Sequence, residues 1–173
     1  MRSHKLIACL GLLVGGLVLA PAAQAKKVEV SKEGKILVVR GSSGGEPQLT
    51  AEGGDRFLLV GALREELLRL DGHKLKVWGS EGAKKLEMPT LAVSRYDLVE
   101  TGGKRPHVGQ LRKRGEGLAL ERGKEGAFTL KGNKAFLEVL EKRVGCKVWD
   151  VGELEGKTLQ AFKFGWISCP NNP

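Results

Sequence analysis

The chain is poor in the residues that build most active sites. Its 173 residues include three histidines and three cysteines, and only 5% are aromatic. It has no Gly-x-x-x-x-Gly-Lys phosphate loop and no His-Glu-x-x-His, which excludes P-loop and zincin chemistry read from motif. No Cys-x-x-Cys occurs, so zinc-ligand spacing is absent. Beyond residue 20 no apolar run approaches the ~20 residues a spanning helix needs. The length excludes a long multidomain enzyme. A 41% hydrophobic share with 28% charged residues excludes a fully disordered chain.

Glycine and positive charge are abundant. There are 25 glycines without a collagen-like period, and these mark turns between many short strands. The formal net charge is +9. Such a field favours anionic partners and keeps a protein soluble.

Residues 1–25 read as a secretory signal peptide. Arg2 and Lys5 supply its positive start, Leu6 to Ala20 its apolar core, and Ala23-Gln24-Ala25 a small-x-small cleavage site after Pro21. The alternative, a membrane anchor, falls short of spanning length. Leu6-Ile7-Ala8-Cys9 resembles a lipoprotein box, but it precedes the apolar core instead of following it. The expectation is therefore an exported chain, periplasmic or extracellular, beginning at Lys26 and without a stable membrane anchor.

Cleavage would leave Cys146 and Cys169. In an oxidising compartment two cysteines point to one disulfide, with two separate thiols as the alternative. The bridge would close a loop of about 24 residues, worth roughly 3.5 kcal/mol in the chain-entropy model.

The chain repeats itself. Phe57-Leu58-Leu59-Val60-Gly61 returns as Phe128-Thr129-Leu130-Lys131-Gly132, and Lys76-Val77-Trp78 returns as Lys147-Val148-Trp149, both at an offset of 71. Between each pair lies a helical pattern: Leu63, Leu67 and Leu70 in the first copy, Phe136, Leu140 and Val144 in the second. Gly72 and Gly145 stand where helices stop, and Asn133 where an N-cap is wanted. Strands are expected at Lys35–Arg40, Leu49–Ala51, Arg56–Val60, around Lys76–Trp78 and at Thr90–Val99. In the second copy they are expected at Val108–Arg114, Gly117–Glu121, Ala127–Lys131, Cys146–Leu154 and Thr158–Ile167. The pattern reads β-β-β-α-β-β twice: unit 1 over residues 26–100, a linker at 101–107, and unit 2 over residues 108–173. Thr101-Gly102-Gly103-Lys104-Arg105-Pro106 reads as a short polar hinge.

This element order resembles the OB-fold, a five-stranded Greek-key barrel with a helix between its third and fourth strands. The resemblance covers Val28–Cys169 and is similar to small secreted or periplasmic bacterial OB-type modules. It implies a mainly β fold of two tandem barrels, with the disulfide tying the last hairpin of unit 2. Some OB-type barrels are calcium-dependent nucleases. Asp71-Gly72-His73 echoes their acidic motif, but the second acid is missing, and a helix-ending turn explains Asp71.

Catalytic constellations are sparse. Only His73 and His107 follow the signal. Glu65-Glu66 lie among Arg64 and Arg69, which reads as a solvated helix face. The stretch Lys104, Arg105, His107, Arg112, Lys113, Arg114 could hold phosphate, uronic acid or anionic lipid headgroups, or could be a solvated linker and edge strand. Alternation places Leu75 and Val77 on one face and Lys74, Lys76 and Trp78 on the other. A tryptophan flanked by lysines suits a nucleic acid or sugar ligand, and Lys147 with Trp149 repeats the arrangement. The alternative puts both tryptophans in cores or between units. Phe162, Phe164 and Trp166 alternate and read as core. The expected function is a non-catalytic binding module without cofactor or metal. Its ligand would be an anionic polymer (acidic polysaccharide or nucleic acid) or an acidic protein surface. The alternatives are a structural or protein-interaction scaffold of the cell envelope and, more remotely, a metal-dependent hydrolase.

Overall fold

The computed structural model describes residues 28–41 and 44–170. The signal-peptide reading, with Cys9, lies outside them. Ten strands form two five-stranded sheets. The first holds β1 (Glu29–Gly41), β2 (Gly44–Ala51), β3 (Arg56–Val60), β4 (Lys74–Lys85) and β5 (Met88–Glu100), with α1 (Arg64–Leu68) between β3 and β4. The second holds β6 (His107–Arg114), β7 (Gly117–Glu121), β8 (Ala127–Lys131), β9 (Lys147–Glu155) and β10 (Thr158–Ser168), with α2 (Lys134–Glu141) between β8 and β9. Among the described residues no helix is long and apolar enough to cross a membrane.

Each sheet closes on itself in the same order, β1-β2-β3-β5-β4 and β6-β7-β8-β10-β9. Neighbours pair antiparallel except β3 with β5 and β8 with β10, which run parallel. Alternation builds each core. Ile36, Leu49, Leu75, Val77 and Leu91 point into the first sheet and are fully buried; Leu111, Leu120, Val148 and Leu159 do the same in the second. The helices plug these interiors with Leu67 and Leu140. Asn133 caps α2 by accepting from the Phe136 N–H at 2.9 Å, and Gly72 and Gly145 take φ of +80° and +90°, where a side chain would be strained. The helix of the first unit is shorter than expected, since Leu63 precedes it and Leu70 follows it. Val144 falls beyond α2 and is exposed.

The two copies superpose in register, but not at one offset. Through β3 and β8 the offset of 71 holds. After the helices it becomes 73, because the connection from β8 to β9 (132–146) is two residues longer than that from β3 to β4 (61–73). The backbone shows this. Ile36 N–H bonds the His73 carbonyl and Gly72 N–H the Ile36 carbonyl; Leu111 with Cys146, and Gly145 with Leu111, repeat the pair. Gly79 and Gly152 follow as equivalents. A Cβ on either would run into the backbone of the partner strand. Lys147 therefore matches Lys74, Trp149 matches Lys76, Asp150 matches Val77, and Val151 matches Trp78. The Lys-Val-Trp identity in the sequence is out of register by two residues.

Packing joins the sheets. Trp149, Val151 and Ile167 leave the second sheet and enter the apolar cluster of the first, beside Leu67 and Leu70. The Trp149 indole lies over Gly165, where any Cβ would approach it to 2.7 Å. The chain passes between sheets through a tight turn, with Thr101 N–H bonded to the Lys104 carbonyl at 2.8 Å. A disulfide joins Cys146 to Cys169 and ties the β9–β10 hairpin at its open end.

One core expectation is corrected. Phe162 and Trp166 are 52% and 41% exposed, and only Phe164 packs against the second core. The β9–β10 register slips between Ala161 and Lys163 and again between Trp166 and Ser168. Each slip adds a residue and breaks the alternation.

Candidate functional site

The expected ligand residues separate into three environments. The first is the outer face of β4. Leu75 and Val77 point inward, which turns Lys76 and Trp78 outward. The half-buried Trp78 ring has Arg95 Cζ 3.9 Å and Lys76 Nζ 5.3 Å from its centroid. Arg95 comes from β5, directly opposite Trp78 in the register. Among the described residues neither cation joins an ion pair. Lys74 does: its ammonium sits 2.6 Å from Glu52 and 3.1 Å from Glu33, whose carboxylates hold its pKa above the ordinary lysine value.

The second environment is the junction. Lys147 Nζ contacts Glu66 Oε2 at 2.7 Å and Tyr96 Oη at 3.1 Å, and Ser168 Oγ donates to Glu66 Oε1 at 2.8 Å. The Tyr96 hydroxyl also donates to Glu66. Burial works to raise the Glu66 pKa, but the bonds from Lys147, Tyr96 and Ser168 outweigh it, and the net direction is down. Trp149 is buried here, with the His73 ring edge-on at 5.0 Å. The reading of Glu66 as solvated is corrected, whereas Glu65 is exposed beside Arg64. Glu66 has partners 81 and 102 positions away, and no local pattern could have shown them.

The third is the Lys104–Arg114 stretch, which does not form one open patch. Lys104 lies over the Phe162 ring at 5.0 Å. Arg112 and Arg114 share Glu121 at 3.5 and 3.1 Å, and Lys113 meets Glu141 at 2.7 Å. Arg105 lines a cleft of about 490 Å³ between the sheets, in which Arg122 and Lys147 face Asp97, Glu121 and Glu125. Opposite charges balance there.

Both histidines are partly buried and held by their neighbours. Burial, with Lys163 nearby, lowers the His73 pKa; its Nδ1 pairs at 2.9 Å with Thr101 Oγ1, on a residue that is itself buried. Burial, then Arg122 and Arg105, lowers that of His107, which packs edge-on against Phe128. Asp71 Oδ1 accepts from the Val38 N–H at 2.9 Å, a structural turn role. Gly41-Ser42-Ser43-Gly44-Gly45 spells Gly-x-Ser-x-Gly, but it joins two antiparallel strands, with Gly41 paired to Gly44. A nucleophile elbow requires a strand-to-helix turn. Ser42 and Ser43 themselves lie outside the described residues. Among the described residues no three His, Cys, Asp or Glu side chains converge as a metal site. One polar residue went unnoticed in the sequence: Asp150 is fully buried, and neither carboxyl oxygen has a hydrogen-bond partner.

No protein-family model and no curated protein matches this chain.

Proposed function

We propose that the chain is an exported, non-catalytic binding module of two OB-type barrels that holds an acidic polymer on the outer face of β4 and β5. The strand order, the parallel β3–β5 contact and the helix between β3 and β4 support the OB-type reading. The observation that carries the ligand reading is the half-buried Trp78 with Arg95 and Lys76 against its ring, both cations without a carboxylate partner among the described residues. Cations held against an aromatic face keep donors free for anionic sugars or phosphates.

Fluorescence anisotropy of labelled single-stranded DNA and of a labelled acidic polysaccharide tests this, at low and moderate salt. A Lys76→Glu/Arg95→Glu variant should lose about tenfold in affinity for one of the two, with a shallower salt slope. Lys113→Glu, on a cation already paired with Glu141, should change it less than about twofold. Equal losses for both variants would refute the site. The scaffold reading draws on a different observation: Leu37 and Val39 are exposed on the same face of β1.

A further inference from the structure

The β9 strand has two packed faces. Lys147, Trp149 and Val151 face the first sheet, while Val148 and Asp150 face the interior of the second. Asp150 occupies the position that Val77 fills in the first sheet, where the side chain is apolar and fully buried. A carboxyl group in a core, without a donor, has no packing reason to be there. Its cross-strand neighbours are His107 on β6 and Phe164 on β10. Residues directly opposite share a face, so His107 is the titratable group that faces it, and Phe164 brings no charge. The charges around His107 are Arg122, Arg105 and Glu125. Burial and the two arginines keep His107 neutral at neutral pH, so it supplies no positive charge to an Asp150 carboxylate there.

We propose that Asp150 is a proton-operated latch on the junction between the two sheets. With its proton, β9 keeps both faces packed. Without it, a bare carboxylate in the second core draws in water, and the strand that carries Trp149 and Val151 loosens from the first sheet. Burial pushes the Asp150 pKa up to about 7, which places the transition near neutrality. The inference does not depend on the ligand reading.

The test uses the full chain with Trp78→Phe and Trp166→Phe, so that Trp149 reports alone. Its emission is followed from about pH 5 to about pH 9, the range in which histidines and a raised aspartate titrate. The expected result is a red shift as pH rises, with a midpoint near 7. Asp150→Asn and Asp150→Val should abolish it; Val is the residue of the sister position, so at least one variant is expected to fold. His73 lies against Trp149 and Lys163 stands 6.0 Å from its ring, so His73→Gln is made in parallel and should leave the midpoint in place. A flat profile in the Asp150 protein, a transition that survives in Asp150→Val, or one lost in His73→Gln would overturn the proposal.

Discussion

Glu66 is the point at which the first sheet grips the second, and a double-mutant cycle of Glu66→Gln with Lys147→Met isolates the charged part of that grip. Tyr96 and Lys147 share Oε2 while Ser168 uses Oε1, so the single amide oxygen of Gln keeps only one side, and the substitution removes the Lys147 ion pair together with one accepted hydroxyl bond. Hydrogen bonds to charged groups contribute about 1.5–3 kcal/mol. Glu66 and Lys147 side chains are 20% and 39% exposed, so solvent screening reduces that figure to about 1–2 kcal/mol. Urea unfolding of Glu66→Gln, Lys147→Met and the double variant gives the coupling energy. The half-exposed pair Lys113–Glu141 serves as control, with an expected coupling of at most about 0.5 kcal/mol. The same pair predicts a pH effect. The folded Glu66 pKa lies below its unfolded value, so its contribution is present above the ordinary glutamate range and disappears as pH falls through that range to the folded value. A Glu66–Lys147 coupling no larger than the control would refute the grip, and a coupling with no loss in acid would refute the assignment of the charge.

Three further outcomes follow from the same geometry. Replacing Cys146 and Cys169 by Ala should cost roughly 3.5 kcal/mol, from a 23-residue separation, and dithiothreitol should lower the urea midpoint of the parent but not of the variant. Asp150 acts with the opposite sign to Glu66. Its folded pKa is raised to about 7, so the folded state holds a proton that the unfolded chain releases near 3.9, and stability falls as pH rises between those values. Asp150→Val should remove that slope and stabilise the protein at pH 8 by on the order of 4 kcal/mol, at 1.36 kcal/mol per pH unit; an unchanged slope in urea melts would contradict it. Gly165→Ala should destabilise by about 1–3 kcal/mol, because its Cβ meets the Trp149 indole at 2.7 Å, and circular dichroism melts would show it.

Local features were legible. The cap at Asn133, the stops at Gly72 and Gly145 and the strand β3 depend on φ/ψ preferences and period-two alternation within a few residues. The pairing of Cys146 with Cys169 followed from the expectation of export, under which only these two cysteines remain. The repeat itself was visible because β3 and β8 keep the same offset. What misled was the Lys-Val-Trp identity, since a β8–β9 connection two residues longer than the β3–β4 one shifts the register by two. It set Trp149 beside Trp78, when it occupies the place of Lys76. Phe162 and Trp166 escaped the core for a similar reason: a bulge has no fixed signature in a run of alternating aromatics.

The sequence by itself determined the number and order of the strands, the doubling of the unit, the helix in each copy and the disulfide. These rest on composition, periodicity and glycine positions, which act over short distances along the chain. Only the tertiary structure decided which face of each unit is open. Glu66 became half-buried because Lys147 and Ser168 reach it from the other sheet, Trp149 lost its solvent face to the first core, and Trp78 kept a half-open one. Asp150 became an unpartnered acid only when β6 and β10 closed over it. Burial and charge balance are sums over neighbours distant in sequence, and no window along the chain contains them.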